Sequence, residues 1–556
     1  MRSRTMRNRS RPSNAVVGLI LAAVLGLMET VVAAPAASVE IWRCWEKTFT
    51  AEADPSTQLK AALTAPSGKT RQVDGFWDGG NTWRVRFMPD ESGTWRFQTS
   101  SVPPRAGLDG QGGQFSCQAA PGKTCFERHG RIGVSTDGHH FQHADGTPFL
   151  WLVDTAWNGA LKSSREDWDR FLDNRASKGF TGVQFVVTQW RTAYANAEGQ
   201  VAYTGDDRIE IRPEFFRRID ERVDAVNAKG LLAVPVLLWT LGQRQHNPGQ
   251  LPESEAIRLA RYMVARYGAN HVAWFLPGDG NYFDERAERW KRIGRAVFDT
   301  DDHAPVFIHP QGMQWPYDAF LGERWLSVFG YQSGHGDDGR TLTWLHSGPP
   351  AQKWRQKPAR PVINLEPPYE DHIAYQSRKR HTDDTVRRTL YWSMLNAPTA
   401  GTSYGAHGVW SWESRPKEPQ EHGGTGVAQP WFEAMDLPGS SQLKHLSDLF
   451  RSLRWWEIRP DRQFAARVGN KPPEPARGGA AGLHVAAARS PQGDLALVYL
   501  PVGGAVAIQT ERLRDGWTAE WFNPRTGKST PAGPSEGRVF KSPDAEDWVL
   551  VFRAGQ

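Results

Sequence analysis

Two acids stand where buried strands would run out. In PVINLEPPYE, Pro361 to Glu370, the run Val362-Ile363-Asn364-Leu365 has the apolar, β-branched character of a strand covered on both faces. Pro367 and Pro368 then remove two backbone donors in succession, so the ladder stops at Glu366. Upstream, HVAWFLPGDGNY, His271 to Tyr282, repeats the design: an apolar run, Pro277-Gly278, then Asp279. In a parallel α/β barrel the carboxyl ends of the strands surround the pocket, and two carboxyls there can serve as acid/base and nucleophile for glycoside hydrolysis. Either acid alone reads equally well as half of a strand-end ion pair, so the inference rests on the two together. Each has a rival nearby, Asp284 for Asp279 and Glu370 for Glu366.

Other chemistries have weaker support. His139, His140 and His143 straddle a DGHHFQHADG hairpin with no second ligand cluster, so no metal is expected there. The chain has no HExxH pair and no cysteine placed for nucleophilic attack from the barrel, and a peptidase has no signal. No cofactor is expected.

The positioning elements follow from rhythm. From Phe149 onward strand and helix patterns alternate, as in parallel βα units. Expected strands are Phe149 to Val153, Gly182 to Val187, Leu231 to Leu238, the run ending at Asp279, Pro305 to Ile308, Trp325 to Phe329, the run ending at Glu366, and Thr399 to Trp410. A helix is expected from Arg165 to Lys178 with Ser164 as N-cap and Gly179 closing it. Others run from Pro213 to Gly230 and from Thr385 to Leu395. Eight strands with intervening helices predict an α/β fold, a (β/α)8 TIM barrel. An open doubly wound sheet competes, but no glycine-rich phosphate loop follows the first strand.

The flanks read as all-β sandwiches, with domains expected at 37–120, 121–436 and 437–556. From about Val39 to Gln118 the pattern is short strands and turns, in which Trp83 and Trp95 read as core more readily than as sugar platforms. Ala106 to Lys123, rich in Gly, Gln and Ser, reads as a linker. A helix is expected from Gln442 to Leu453, capped by Ser440 or Ser441, before strands return at Leu495 to Leu500, Trp517 to Phe522 and Trp548 to Phe552.

Residues 1–36 read as a signal peptide: Arg2, Arg4, Arg7, Arg9 and Arg11, an apolar core, then Ala34-Pro35-Ala36. Its apolar stretch, Ala15 to Met28, is short of the ~20 residues a bilayer needs, so export is expected without a retained membrane segment. Without those residues the formal charge of +6 falls to about +2, from 62 basic and 60 acidic residues, which gives no reason to expect nucleic acid as a partner. Cys44, Cys117 and Cys125 lack metal spacing, and one disulfide with a leftover thiol is the simplest expectation for an exported chain.

Several stretches carry a family resemblance. WLVDTAW at Trp151, WFLPGDGNY at Trp274, FIHPQG at Phe307, NLEPPYE at Asn364 and GTSYGAHGVW at Gly401 resemble successive barrel motifs of the apiosidase-like glycoside hydrolases. The segment Val73 to Ser100 resembles the small sandwich that precedes such barrels, through Phe76, Asp78, Gly79, Gly80, Trp83, Arg86, Phe87, Pro89, Gly93 and Trp95. AEWFNPRTGK and DWVLVF resemble a C-terminal sandwich often named for collagen binding, a role not carried over because a sandwich is a scaffold for many functions.

The resemblance implies a secreted glycosidase with Asp279 as acid/base and Glu366 as nucleophile, acting on a furanosidic or branched plant or microbial glycan. Pro277 departs from the small residue expected before Gly278. Trp274, Phe275 and Tyr282 could give Asp279 an apolar setting, and Tyr404 and His407 could hold Glu366 or touch sugar hydroxyls. Substrate contacts are further expected from Asp154, Trp157, Gln189, Trp190, Trp239, Asn281, His309, Tyr331, His335, Tyr369 and Trp410, although Asp154, His309 and His335 read equally well as loop caps. A non-catalytic glycan- or matrix-binding protein on a degenerate barrel is the alternative, which the presence of both acids disfavours.

Overall fold

The computed structural model describes residues 38–555 apart from 55, 244–245, 299, 301 and 470–478, so the expected signal peptide lies outside the described residues. Eight parallel strands form the central sheet: β1 Trp151–Thr155, β2 Gly182–Val186, β3 Leu232–Leu238, β4 Trp274–Pro277, β5 Val306–Phe307, β6 Phe329–Gln332, β7 Val362–Glu366 and β8 Gly401–Gly405. Their order, β5-β4-β3-β2-β1-β8-β7-β6, is that of a barrel. Every residue of β1, β2, β3, β7 and β8 is buried, which is why these strands read as continuous apolar runs. No ladder joins β5 to β6 among the described residues; Ser327 spans that seam, donating its N–H to the Val306 carbonyl (2.9 Å) and accepting the Val306 N–H on Oγ (3.1 Å).

Helices cover the barrel as their local chemistry directs. Ser164 Oγ accepts the Asp167 N–H and starts helix Arg165–Ser177, a cap worth about 1 kcal/mol. Pro213 opens helix Pro213–Ala228 at the turn where its missing donor costs nothing. Helix Pro438–Arg451 starts earlier than the expected Gln442, because Pro438 opens it and Leu437, not a serine, is its N-cap. Its Leu443, Leu446, Leu449 and Phe450 join the barrel core.

Other expectations shift. β1 begins two residues late because Pro148–Phe149 pairs with Phe141–His143 in the hairpin around Asp145-Gly146. The Trp325 run is not β6: Trp325 packs under Gly294 of helix Asp284–Val297, and the pairing with β7 starts at Phe329. The eighth segment is a strand only to Gly405, after which His407–Ser411 is helical.

The N-terminal sandwich faces a five-stranded sheet against a three-stranded one, with Trp45, Trp83, Trp95, Phe97 and Phe115 in its core. The expected linker holds one of its strands, Gly112–Gln118, which pairs with Gly93–Val102. Gly113 hid it: a Cβ there would strike the Phe97 ring at 2.7 Å, so glycine at that place marks close packing and not flexibility. Arg86 and Arg266 bind Asp220, and Arg266 also binds Asp78, locking sandwich to barrel. On the other side Arg387 grips Asp547 and Tyr391 stacks on Tyr499 at 4.6 Å, fixing the C-terminal sandwich.

The expected disulfide is absent: all three cysteines are free. Cys117 is buried in the sandwich core while Cys125 opens helix Cys125–His129 with Sγ 3.8 Å from the Gly230 carbonyl, and Cys44 is exposed.

Candidate active site

Glu366 is the last residue of β7, and Pro367-Pro368 end the strand there. Its carboxylate is 7% exposed and lies between two imidazoles: His335 Nε2 at 3.1 Å from Oε1, and His309 Nε2 at 3.2 Å from Oε2. His335 Nδ1 accepts the Tyr369 backbone N–H (3.2 Å), so the neutral ring carries its proton on Nε2 and donates it to Glu366. His309 sits within ion-pairing distance but off the hydrogen-bonding angle, and its ring makes no aligned bond. Burial alone would raise the Glu366 pKa, yet the two histidines outweigh it and hold the carboxyl well below its ordinary range. The converse holds for His309: burial opposes its cation, and Glu366 and Asp279 push its pKa up on balance.

Asp279 follows β4 across Gly278. The turn is tight enough that a Cβ on Gly278 would meet the Trp239 ring at 2.6 Å and one on Gly280 would meet Thr240 Oγ1 at 2.1 Å. Thr240 Oγ1 donates to the Asp279 carbonyl and Tyr282 Oη to that of Gly278, which fixes the backbone. Among the described residues, Asp279 Oδ1 is buried without a hydrogen-bond partner. Burial raises this carboxyl to about 6; the charge of Glu366 adds to the rise, and His309 and Arg191 oppose it. Asp279 and Glu366 therefore sense one another across one site, one poised to hold a proton and the other to stay ionised.

Behind this pair the aromatic residues form a connected wall. Trp157 packs edge-on to His309 at 5.7 Å and to Trp239 at 5.8 Å, and donates Nε1–H to Tyr369 Oη at 2.9 Å. Trp239 lies 4.3 Å from Trp190, whose indole N–H binds Asn158. Trp410 packs edge-on to His422 at 5.1 Å. Asn281, partly exposed beside Asp279, accepts the Phe283 N–H.

Other expected contacts are spent inside the protein. Asp154 is fully buried in an ion pair with Arg175 at 2.5 Å, and removing one partner would cost about 3–5 kcal/mol. Gln189 bonds the Tyr203 carbonyl and the Ala202 N–H, pinning the loop after β2. Tyr331 is buried against Trp344. Tyr404 does not hold Glu366: it donates to Glu370 Oε2 (2.6 Å), which also accepts the Gly439 N–H at the start of helix Pro438–Arg451. His407 uses both ring nitrogens, on the Gly426 carbonyl and the Trp410 N–H. Trp274 supplies no apolar wall to Asp279, since it lines a cavity under the other end of β4. Of the rivals, Glu370 is a helix cap, and Asp284 is exposed in the first turn of its helix.

Sequence reading missed four residues here. Tyr375 is 49% exposed, packs edge-on to His335 at 5.7 Å and feels the charges of Glu366 and Asp279. His372 stacks on His335 at 4.1 Å. Arg191 contacts His422 at 3.2 Å and lies near enough to Asp279 to lower its pKa. Their signal was position: Arg191 directly follows Trp190, and His372 and Tyr375 follow Glu366 in YEDHIAY.

A family model described as "Apiosidase-like, catalytic domain" matches residues 135–457, more than half of the chain. A domain of unknown function matches residues 38–102, and a domain described as "Putative collagen-binding domain of a collagenase" matches residues 477–553. Among solved structures, a family 5 glycoside hydrolase from Bacteroides vulgatus superposes with a TM-score of 0.66 at 24% identity, covering 78% of this chain and 95% of that one. A second structure, titled a glycoside hydrolase, gives a TM-score of 0.65 at 22% identity over 76% of this chain and 97% of its own. Among curated proteins, a tRNA dimethylallyltransferase of Thermomicrobium roseum is 30% identical over 122 residues, 18% of this chain; the chain spans 37% of that relative's length. The barrel, its two sandwiches and the match across its catalytic region place the chain in the apiosidase-like family, as a glycoside hydrolase.

Proposed function

We propose that the chain cleaves a furanosidic or branched glycan of plant or microbial origin with retention of configuration, Glu366 acting as nucleophile and Asp279 as acid/base. The observation that carries this reading is the opposed dressing of the two carboxyls: two imidazoles on Glu366, and an unpartnered buried oxygen on Asp279. In the first step a Glu366 oxygen attacks the anomeric carbon, the glycosidic C–O bond breaks, and the departing oxygen takes the Asp279 proton. In the second step Asp279 removes a proton from water as that water attacks the anomeric carbon, which frees Glu366 and restores the acid. Neither step calls on a metal or cofactor.

The experiment is incubation of purified protein with fractionated plant cell-wall polysaccharides, following new reducing ends and then the anomeric proton signals of fresh product. Release of product in its starting configuration supports the reading; the opposite anomer would reassign Glu366 as a base, and no release from any fraction, with binding intact, would favour the non-catalytic alternative. Export is part of the same proposal, supported by the basic and apolar pattern of residues 1–36. Edman sequencing of the secreted protein should start near residue 37, and a retained Met1 would rule that out.

A further inference from the structure

A second concave site lies where the N-terminal sandwich meets the helix Glu253–Tyr267 that follows β3. The cavity holds about 320 Å3, at the lower end of the roughly 300–1,000 Å3 typical of small-molecule sites. It shares no residue with the Asp279–Glu366 site. Because a helix after a barrel strand starts at the strand's carboxyl end, Ser254 and Glu255 stand at the same end of the barrel as that site.

Its lining has two kinds of group. Phe76, Trp77, Trp83 and Tyr262 supply aromatic surface, Trp77 being partly exposed. Trp83 is 1% exposed and belongs to the sandwich core, so it gives the cavity apolar backing only. Gln58 and Ser254, both exposed, also line the cavity. The charges around it are already matched: Arg261 binds Asp74 through two nitrogens at 2.9 and 2.7 Å, and Arg258 binds Glu255 at 2.8 Å. A ligand with net charge would have to compete with these pairs, and a hydrocarbon would bury them without water.

We propose that this cavity is an ancillary binding site for a neutral sugar unit of a polysaccharide, with Trp77 as stacking surface and Gln58 and Ser254 as hydrogen-bonding partners. A sugar presents C–H edges to an aromatic face and hydroxyls to Gln58 and Ser254. Bound there, a polymer would be held at the catalytic end of the barrel without entering the catalytic site.

The test is affinity electrophoresis of the Glu366→Gln variant through gels containing neutral galactan, arabinan or xylan. Retardation by at least one is expected, and adding Trp77→Ala should weaken it roughly 2- to 10-fold, the worth of a stacking contact. Ser254→Phe, which fills the cavity from the helix side, should do the same, and guards against a Trp77 variant that folds poorly. With Glu366 intact, both substitutions should leave turnover of short oligosaccharides unchanged, so loss of this site and loss of hydrolysis are read separately. No retardation in any neutral gel, retardation indifferent to both substitutions, or retardation in polygalacturonate alone would overturn the proposal.

Discussion

The ends of β4 and β7 each present one carboxyl to the same site, and they are built in opposite ways. At β7 the side chain is engaged: Glu366 meets two imidazoles, one of them locked in its donating tautomer by the Tyr369 N–H. At β4 it is the backbone that is engaged, since Thr240 and Tyr282 bond the carbonyls while Asp279 Oδ1 has no partner among the described residues. Similar burial thus gives opposite protonation, because partners decide what desolvation alone cannot. Two groups whose pKa values are pushed apart in one cleft are the general requirement for acid and nucleophile to coexist.

The sharpest way to break this comparison is Glu366→Gln, which keeps shape and removes the proposed nucleophile. Turnover should fall by roughly 10⁴-fold or more, measured as reducing ends released. Asp279→Asn should cost less, about 10²- to 10⁴-fold, and the loss should shrink on substrates whose leaving group needs no proton. The same residue sets a pH limb. Asp279 is protonated below about 6 and ionised above it, so kcat should fall as pH rises through that value, and the limb should vanish in the Asn variant. A limb that persists would remove Asp279 from the acid role. His335→Ala takes away one donor to the anion; kcat/KM should drop about 10- to 100-fold and the acidic limb should move to higher pH, because Glu366 then protonates more easily. The smallest effect is expected from Glu370→Ala, four residues along. It should lower stability by about 1–3 kcal/mol in urea unfolding, through the orphaned Tyr404 hydroxyl and Gly439 N–H, with turnover nearly unchanged.

Much of this was legible because proline and glycine punctuate the chain. Pro367-Pro368 mark where β7 stops, and Pro277-Gly278 where β4 does, so both acids could be placed at strand ends before any coordinates. What strand ends cannot reveal is which ring crosses the mouth of a barrel. Tyr404 and His407 are as plausible by position as His309 and His335, but Tyr404 turns to the helix cap at Glu370 and His407 to the Gly426 carbonyl. Asp154 misled for a related reason: its partner Arg175 lies in helix Arg165–Ser177, at a spacing that carries no pattern. The strand Gly112–Gln118 was hidden because its glycines signal a loop by composition and a close approach by packing.

The unladdered seam between β5 and β6 gives Glu366 a second, mechanical duty. His309 follows β5 and His335 follows β6, so the carboxylate between them is a rivet across the one edge where strand pairing lapses among the described residues. In the proposed retaining cycle, esterification of that carboxylate would cancel its charge and loosen the rivet midway. The barrel wall would then be slackest when water must reach the anomeric carbon, a coupling that faster amide exchange at Ser327 in a trapped intermediate would expose, and that unchanged exchange would refute.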